Sequence, residues 1–432
     1  MENDRMQQYI HWFREASPYI HRFRGETFVI VFDGDLVREG GMERLAHDVA
    51  LLVSLGIHIV IVHGAGPQID LSLERHHLKT TRVGGKRITD KDSLLPLREA
   101  VGAVRIEIEA ALSQGTDATP MAGSRLRVVS GNFVIARPIG VIDGIDFQYT
   151  GTVRRIESEA IRKHLSAGDT VLLSPIAFSP TGEIFNLLAF EVASRTAVSL
   201  SASKLVVLGN SPEIRDGKGE IIRQISLSDV QRTPSALPLA DLLTACEMGV
   251  PRIHLVDRNR DGALLLELFT RDGVGTLISK DPFEHIRPAT LDDLVEILGI
   301  IRPLEESGVL VRRPRERIEM ELDRFMVTER DRSVIGCVAF YPYPDHGMAE
   351  MACLAIVPGY QKEGRGDQLL AWCQKEARRL GLSRLFVLTT QSSHWFLERG
   401  FRLADIGVLP PSRKALYRED RKSQILVRDL AG

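Results

Sequence analysis

Gln361-Lys362-Glu363-Gly364-Arg365-Gly366 stands between an apolar run at residues 351–357 and a helix-like segment at 367–380. The spelling predicts a strand, a tight loop with two glycines, and a helix N-terminus. Such a terminus presents unpaired backbone N–H groups and the positive end of the helix macrodipole, so it accepts an anion without a lysine or a metal. A pyrophosphate fits that description. Gly-x-Gly before a helix usually makes only a turn, so its neighbours decide the reading. Rossmann loops spell G-x-G-x-x-G and P-loops end in G-K-S or G-K-T, and this loop spells neither.

A chain of 432 residues is long enough for two or three domains. A net charge of −2, with both signs mixed along the chain, favours small-molecule work over nucleic acid as a partner. Cys246, Cys337, Cys353 and Cys373 form no C-x-x-C pair, so we expect reduced thiols, no metal centre and a cytoplasmic protein. The first residues, with His11, Arg14 and Glu15 among apolar ones, lack a signal-peptide core. No apolar run approaches the roughly 20 residues of a membrane span.

Short apolar runs at 28–32, 57–62, 126–129, 170–173 and 205–208 alternate with amphipathic helical patterns. That alternation predicts an α/β fold with a mostly parallel open sheet and helices on both faces. The pattern continues to Val256 and breaks at Asp281-Pro282-Phe283-Glu284-His285, which places a boundary between residues 1–284 and 285–432. A fresh helix start follows at Thr290, with Asp292 and Asp293 in its first turn. Residues 4–21 read as an N-terminal helix.

The strand, Q-x-x-G-x-G and helix together resemble the acetyl-CoA loop of the GCN5-related N-acetyltransferases. The resemblance implies pyrophosphate at Lys362, Gly364, Gly366 and Asp367, with Gln361 and Arg365 also in the cofactor site. It also implies pantetheine and thioester along Cys353, Leu354, Ala355 and Ile356. His394-Trp395-Phe396-Leu397-Glu398-Arg399-Gly400-Phe401 is similar to the family's closing F-Y-x-x-x-G-F, but Trp395-Phe396 departs from it and leaves the usual tyrosine acid without a counterpart. Amide formation from a thioester needs a base for the ammonium proton, and Glu350 at the start of the strand is the candidate. Backbone N–H near Leu354 is the candidate for polarising the carbonyl, and Thr389 for orienting the amine. An edge glutamate is ordinarily only solvated and a strand threonine only structural; the loop beside them argues for chemistry.

The first domain resembles the amino-acid kinases, and among them acetylglutamate kinases, through Val60-Ile61-Val62-His63-Gly64-Ala65-Gly66-Pro67-Gln68-Ile69 and Gly85-Lys86-Arg87-Ile88-Thr89-Asp90. Those kinases hold the transferring phosphoryl group with a lysine on the first strand. Here Val31 stands at that place, Asp33 adds the wrong charge, and Phe190 replaces an organising aspartate in Asn186-Leu187-Leu188-Ala189-Phe190. The fold is expected without the phosphoryl transfer. Glu267-Leu268-Phe269-Thr270-Arg271-Asp272-Gly273-Val274-Gly275-Thr276 is similar to the arginine-binding segment of arginine-sensitive kinases, which implies an L-arginine site with Tyr19, His254, Glu267, Phe269, Gly273 and Gly275.

Leu310-Val311-Arg312-Arg313, Lys422-Ser423-Gln424-Ile425-Leu426-Val427 and Ser130-Gly131-Asn132-Phe133-Val134-Ile135-Ala136 extend the resemblance across the chain, to the bacterial amino-acid N-acetyltransferases that make N-acetylglutamate. It implies acetyl-CoA as co-substrate, L-glutamate as acceptor, arginine as inhibitor and a homo-oligomer, a hexamer in the family. Two acceptor carboxylates call for arginines, with Arg313, Arg413 and Arg421 as candidates, although basic runs are commonly just solvated faces. Two other readings stay open on the residues alone: an active kinase joined to an acetyltransferase, and an arginine sensor with an inert acetyltransferase fold.

Overall fold

The computed structural model describes residues 2–114, 126–230, 239–270, 272–280, 284–330, 333–361 and 364–430. The chain divides into two compact units, residues 1–281 and 282–432.

The first unit is built on an eight-stranded sheet. Thr27–Phe32 lies at its centre, parallel to His58–His63 on one side and to Lys204–Gly209 on the other. Alternation along this strand explains why both faces are covered. Val29 and Val31 enter one apolar layer, Phe28, Ile30 and Phe32 the other, and all five are fully buried. One neighbour breaks the parallel rule: Arg252–Asp257 and Thr276–Ser279 run antiparallel. A smaller four-stranded sheet includes Val134–Pro138 and Gly151–Ile156. The N-terminal helix spans Glu2–Phe23.

The second unit is a seven-stranded sheet, antiparallel except where Met348–Ile356 runs parallel to Arg384–Thr389. That exception shapes the site. The two strands pair only over Met348–Glu350 and Arg384–Phe386, and beyond those residues they part. On its other side Met348–Ile356 stays paired with Ser333–Tyr343, but the register shifts near Cys353 and neither Cys353 nor Leu354 has a ladder partner. Cys353 takes φ +51°, the left-handed conformation expected at a bulge and uncommon for a side chain other than glycine.

Thr290 opens a short 3-10 turn, Leu291–Asp293, before the helix Leu294–Glu306. Asp293 reaches back to accept from the Thr290 N–H at 2.7 Å and its hydroxyl at 2.9 Å. Arg287 grips the same carboxylate through two nitrogens, and this grip, the largest influence, holds it down to about 2.

Candidate active site

Where the two strands part, a cleft of about 560 Å³ opens between them. One wall is the bulged edge with Met351, Ala352, Cys353 and Leu354; the other is Val387, Leu388 and Thr389. Its far end is the start of the helix Arg365–Arg379. This helix begins two residues earlier than the sequence pattern implies. Gly364 caps it at φ +78°, a conformation that glycine adopts without a Cβ penalty. A Cβ on Gly366 would lie 3.1 Å from the Trp395 ring, so the second glycine lets the indole lie against the helix end. The arrangement offers a helix N-terminus at one end and an unpaired strand edge along one wall, a fit for an extended molecule with an anionic group and amides.

Gln361, Gly364, Gly366, Asp367, Cys353, Leu354, Ile356 and Thr389 all line this cleft. Lys362 lies outside the described residues. Ala355 faces the other way, into the apolar layer beneath the helix Leu294–Glu306. Arg365 lines the cleft, yet its guanidinium is taken up by Glu284 at 2.7 Å and the Tyr360 carbonyl at 2.8 Å. Asp367 pairs with Arg399, which itself lies 3.9 Å from the Trp395 ring centroid. That pair offsets a carboxylate that would otherwise repel an anion. The Thr389 hydroxyl accepts from the Ser392 N–H at 2.9 Å and so helps to start the helix Ser393–Leu397.

Two residues with separate expected tasks prove to be partners. Glu350 is 4% exposed and accepts from Arg413 Nε at 2.6 Å and Nη2 at 3.0 Å, a bidentate pair at the end of the shared ladder. Arg413 therefore stands first as the counter-ion of Glu350. Arg313 reaches the Cys353 sulfur behind the bulge and lies 5.8 Å from the Tyr341 ring centroid. Burial pushes the Cys353 thiol up to about 11, with the Arg313 charge opposing, so it stays a thiol near neutrality. Arg421 donates to the carbonyls of Gly308 and Val309, the latter a cleft residue.

In the first unit, Glu267 sits on the helix Ala263–Phe269 and is 7% exposed. Its Oε1 meets His254 Nδ1 at 2.7 Å, and its Oε2 accepts from the N–H groups of Val274 at 2.7 Å and Gly275 at 2.8 Å. The glycines make room for this. A Cβ on Gly273 would fall 2.4 Å from Glu267 Oε2, and one on Gly275 2.1 Å from the Leu255 carbonyl oxygen. Burial, then the charge of Lys204, pushes His254 down to about 4, so a neutral ring donates to the carboxylate through Nδ1. Its Nε2 then accepts from Lys204 Nζ at 3.2 Å. Burial alone would raise the Glu267 carboxyl, but His254 and the two N–H groups hold it below its ordinary value.

Tyr19 and Phe269 pack in the apolar layer beside this cluster, and Phe23 from the N-terminal helix meets the Phe269 ring edge-on. Sequence reasoning missed Lys204, Glu284, Tyr360 and Arg399. A lysine opening the apolar run 205–208 was a usable signal for the first; Glu284 and Arg399 act through contacts far apart in sequence, whereas Tyr360 meets Arg365 from just before the glycine loop.

Among the described residues no group of His, Cys, Asp and Glu could hold a metal, and no helix is long and apolar enough to cross a membrane.

Comparison with known proteins agrees with this geometry. The amino acid kinase family matches residues 26–257, and the acetyltransferase (GNAT) family matches residues 292–401. The chain is 46% identical to the amino-acid acetyltransferase of Ralstonia nicotianae, over 98% of this chain and 96% of that protein. It is 47% identical to that of Azotobacter vinelandii, over 98% and 100%. Among solved structures it is similar to N-acetylglutamate synthase from Neisseria gonorrhoeae complexed with coenzyme A and L-arginine, at 39% identity and a TM-score of 0.91, covering 98% of this chain and 100% of that one. The same synthase complexed with coenzyme A and N-acetyl-glutamate matches at 40% identity, a TM-score of 0.62 and the same coverage.

Proposed function

The chain belongs to the amino-acid acetyltransferases, a GNAT domain joined to an amino-acid kinase fold, and from that premise we propose that it acetylates the α-amino group of L-glutamate with acetyl-CoA under inhibition by L-arginine. In this reading it is an N-acetylglutamate synthase at the entry to arginine biosynthesis. One observation carries the site: the parting of Met348–Ile356 from Arg384–Thr389 opens a strand edge directly onto a helix N-terminus. Pantetheine amides would pair along that edge, and the pyrophosphate would sit at Gly364 and Gly366. The ligands of the Neisseria synthase, coenzyme A with arginine or with N-acetyl-glutamate, support the choice of co-substrate, inhibitor and acceptor.

The chemistry follows from the neighbours of the edge. Glu350 takes a proton from the substrate ammonium, directly or through water, and Arg413 remains its counter-ion. The neutral amine attacks the thioester carbonyl carbon, and backbone N–H at the bulge near Leu354 meets the developing oxyanion. The C–S bond breaks, the new C–N bond stays, and the second proton, shed by the nitrogen as the adduct collapses, passes to the departing CoA thiolate directly or through water. No acyl-enzyme forms. Arg313 and Arg421 supply positive charge for the acceptor's carboxylates, while Arg413 stays with Glu350.

The first unit transfers no phosphoryl group in this reading. Val31 is fully buried in mid-strand, and Phe190 packs against the apolar layer where a kinase needs a carboxylate. Tyr19, His254, Glu267, Phe269, Gly273 and Gly275 form the arginine site, joined by Lys204, whose buried Nζ donates to His254.

A CoA-release assay tests the whole. Release should require L-glutamate and fall when arginine is added, and incubation with ATP and N-acetylglutamate should yield no phosphorylated product. An inert protein, or one that phosphorylates, refutes the reading.

A further inference from the structure

An arginine at the start of a phosphate-binding helix invites an assignment to the phosphates. The geometry points elsewhere: we propose that Arg365 is a positioning residue that locks the helix end and Tyr360 to the strand Glu284–Pro288, and so sets the affinity for acetyl-CoA. The proposal rests on the acetyl-CoA reading above.

Arg365 is only 5% exposed, so almost all of its guanidinium is out of water. A cation in that position needs a paired charge and filled hydrogen bonds. Glu284 supplies the first, accepting from Nε at 2.7 Å, and the Tyr360 carbonyl accepts from Nη1 at 2.8 Å. The guanidinium also lies 5.4 Å from the Tyr360 ring centroid. Tyr360 closes the turn Pro358–Tyr360, and Arg365 opens the helix Arg365–Arg379. One planar group therefore ties the chain before the glycine loop to the chain after it. Gly364 and Gly366 flank Arg365, so the same tie governs where their N–H groups point.

The anchor is itself fixed. Glu284–Pro288 pairs antiparallel with Phe325–Arg330, with Glu284 opposite Arg330. Arg330 stands 3.9 Å from the other Glu284 oxygen and 5.5 Å from the Tyr360 ring centroid. Three residues along the strand, Arg287 is held by Asp293 and Glu329. Tyr360 and the helix start are thus referenced to a strand held by these contacts, which prepays the ordering that would otherwise be subtracted from co-substrate affinity. Lysine has one point charge and no fork, so it holds the carboxylate or the carbonyl less well than arginine holds both.

The test uses the full-length protein with Arg365→Met, Arg365→Lys, Glu284→Gln and the double variant Arg365→Met/Glu284→Gln. Circular dichroism checks folding, calorimetry with CoA gives Kd, and steady-state assays give KM and kcat. Arg365→Met should raise Kd for CoA and KM for acetyl-CoA about tenfold, more than any fall in kcat. Arg365→Lys should recover part of that loss, and Glu284→Gln should show a smaller rise. The double variant should be no worse than Arg365→Met alone, because the two residues act as one device. Unchanged Kd and KM in a folded Arg365→Met protein overturn the proposal, as do additive effects in the double variant, which would mean that Arg365 serves the phosphates without Glu284. If Arg365→Met does not fold, unchanged Kd in both Glu284→Gln and Arg365→Lys overturns it. A wild-type protein that binds no CoA removes the acetyl-CoA reading and this proposal together, whereas normal wild-type binding with unaffected variants removes only this one.

Discussion

Glu267 in the first unit and Glu350 in the second are built from the same materials, a buried carboxylate held by nitrogen donors, and they are finished differently. Glu267 uses both oxygens inward: His254 on one, the N–H groups of Val274 and Gly275 on the other. The glycines beneath it leave no room for anything larger. Glu350 is held by Arg413 through two bonds and by the Tyr343 side chain, and the next four residues line an open cleft. Burial is nearly equal, so burial does not distinguish a reactive carboxylate from an organising one. What differs is whether reachable space adjoins it. A saturated carboxylate fixes the shape of a segment, and one beside a cleft can trade protons with a guest.

The largest expected effect lies at Glu350. Glu350→Gln keeps the shape but removes the base, and kcat should fall about 10²- to 10³-fold with little change in KM for acetyl-CoA. A loss of less than about tenfold would make Glu350 a mere counter-ion and erase the distinction. Next comes Glu267→Gln, which still offers an oxygen to Val274 and Gly275 but removes the charge that would face the guanidinium in the proposed arginine site. Arginine should then inhibit about tenfold less well, with the uninhibited rate preserved, as read from inhibition curves. Loss of both would show that the segment supports catalysis as well as regulation.

The smallest effect concerns Lys204. Burial first, then the charge of Arg252, pushes its ammonium down to about 7, while the unfolded chain titrates near 10.5. Between those values the unfolded state binds more protons, so this group makes stability rise as pH rises. Lys204→Met removes that dependence. The wild-type minus variant difference in Tm should therefore grow from about pH 7 to about pH 9, and a difference flat across that range would place the ammonium in water.

Much of the fold was legible because periodicity is a local signal. The runs 28–32 and 57–62 fall within a residue of the strands Thr27–Phe32 and His58–His63. The glycine loop was legible for the same reason, since a turn, a cap and a helix start are adjacent in sequence. Its partners were not. Arg413 and Glu350 are 63 residues apart, Arg365 and Glu284 81, and nothing in either pair's own neighbourhood announces the other. The antiparallel turn of Thr276–Ser279 was hidden too, because a strand that reverses its neighbour is written with the same apolar residues as one that does not. The bulge at Cys353 carries no glycine to mark it.

The parting of Met348–Ile356 from Arg384–Thr389 also bears on solubility. An unpaired strand edge recruits other chains and seeds aggregation when it faces outward. Here the sheet's outer edges are Glu284–Pro288, which ends in a proline, and the three-residue Arg402–Ala404, both poor templates. Its long free edge is instead sunk inside the sheet, walled by Val387, Leu388 and the helix end. A strand from a second protein molecule would have to enter between these walls to pair with it, which makes the edge a poor seed.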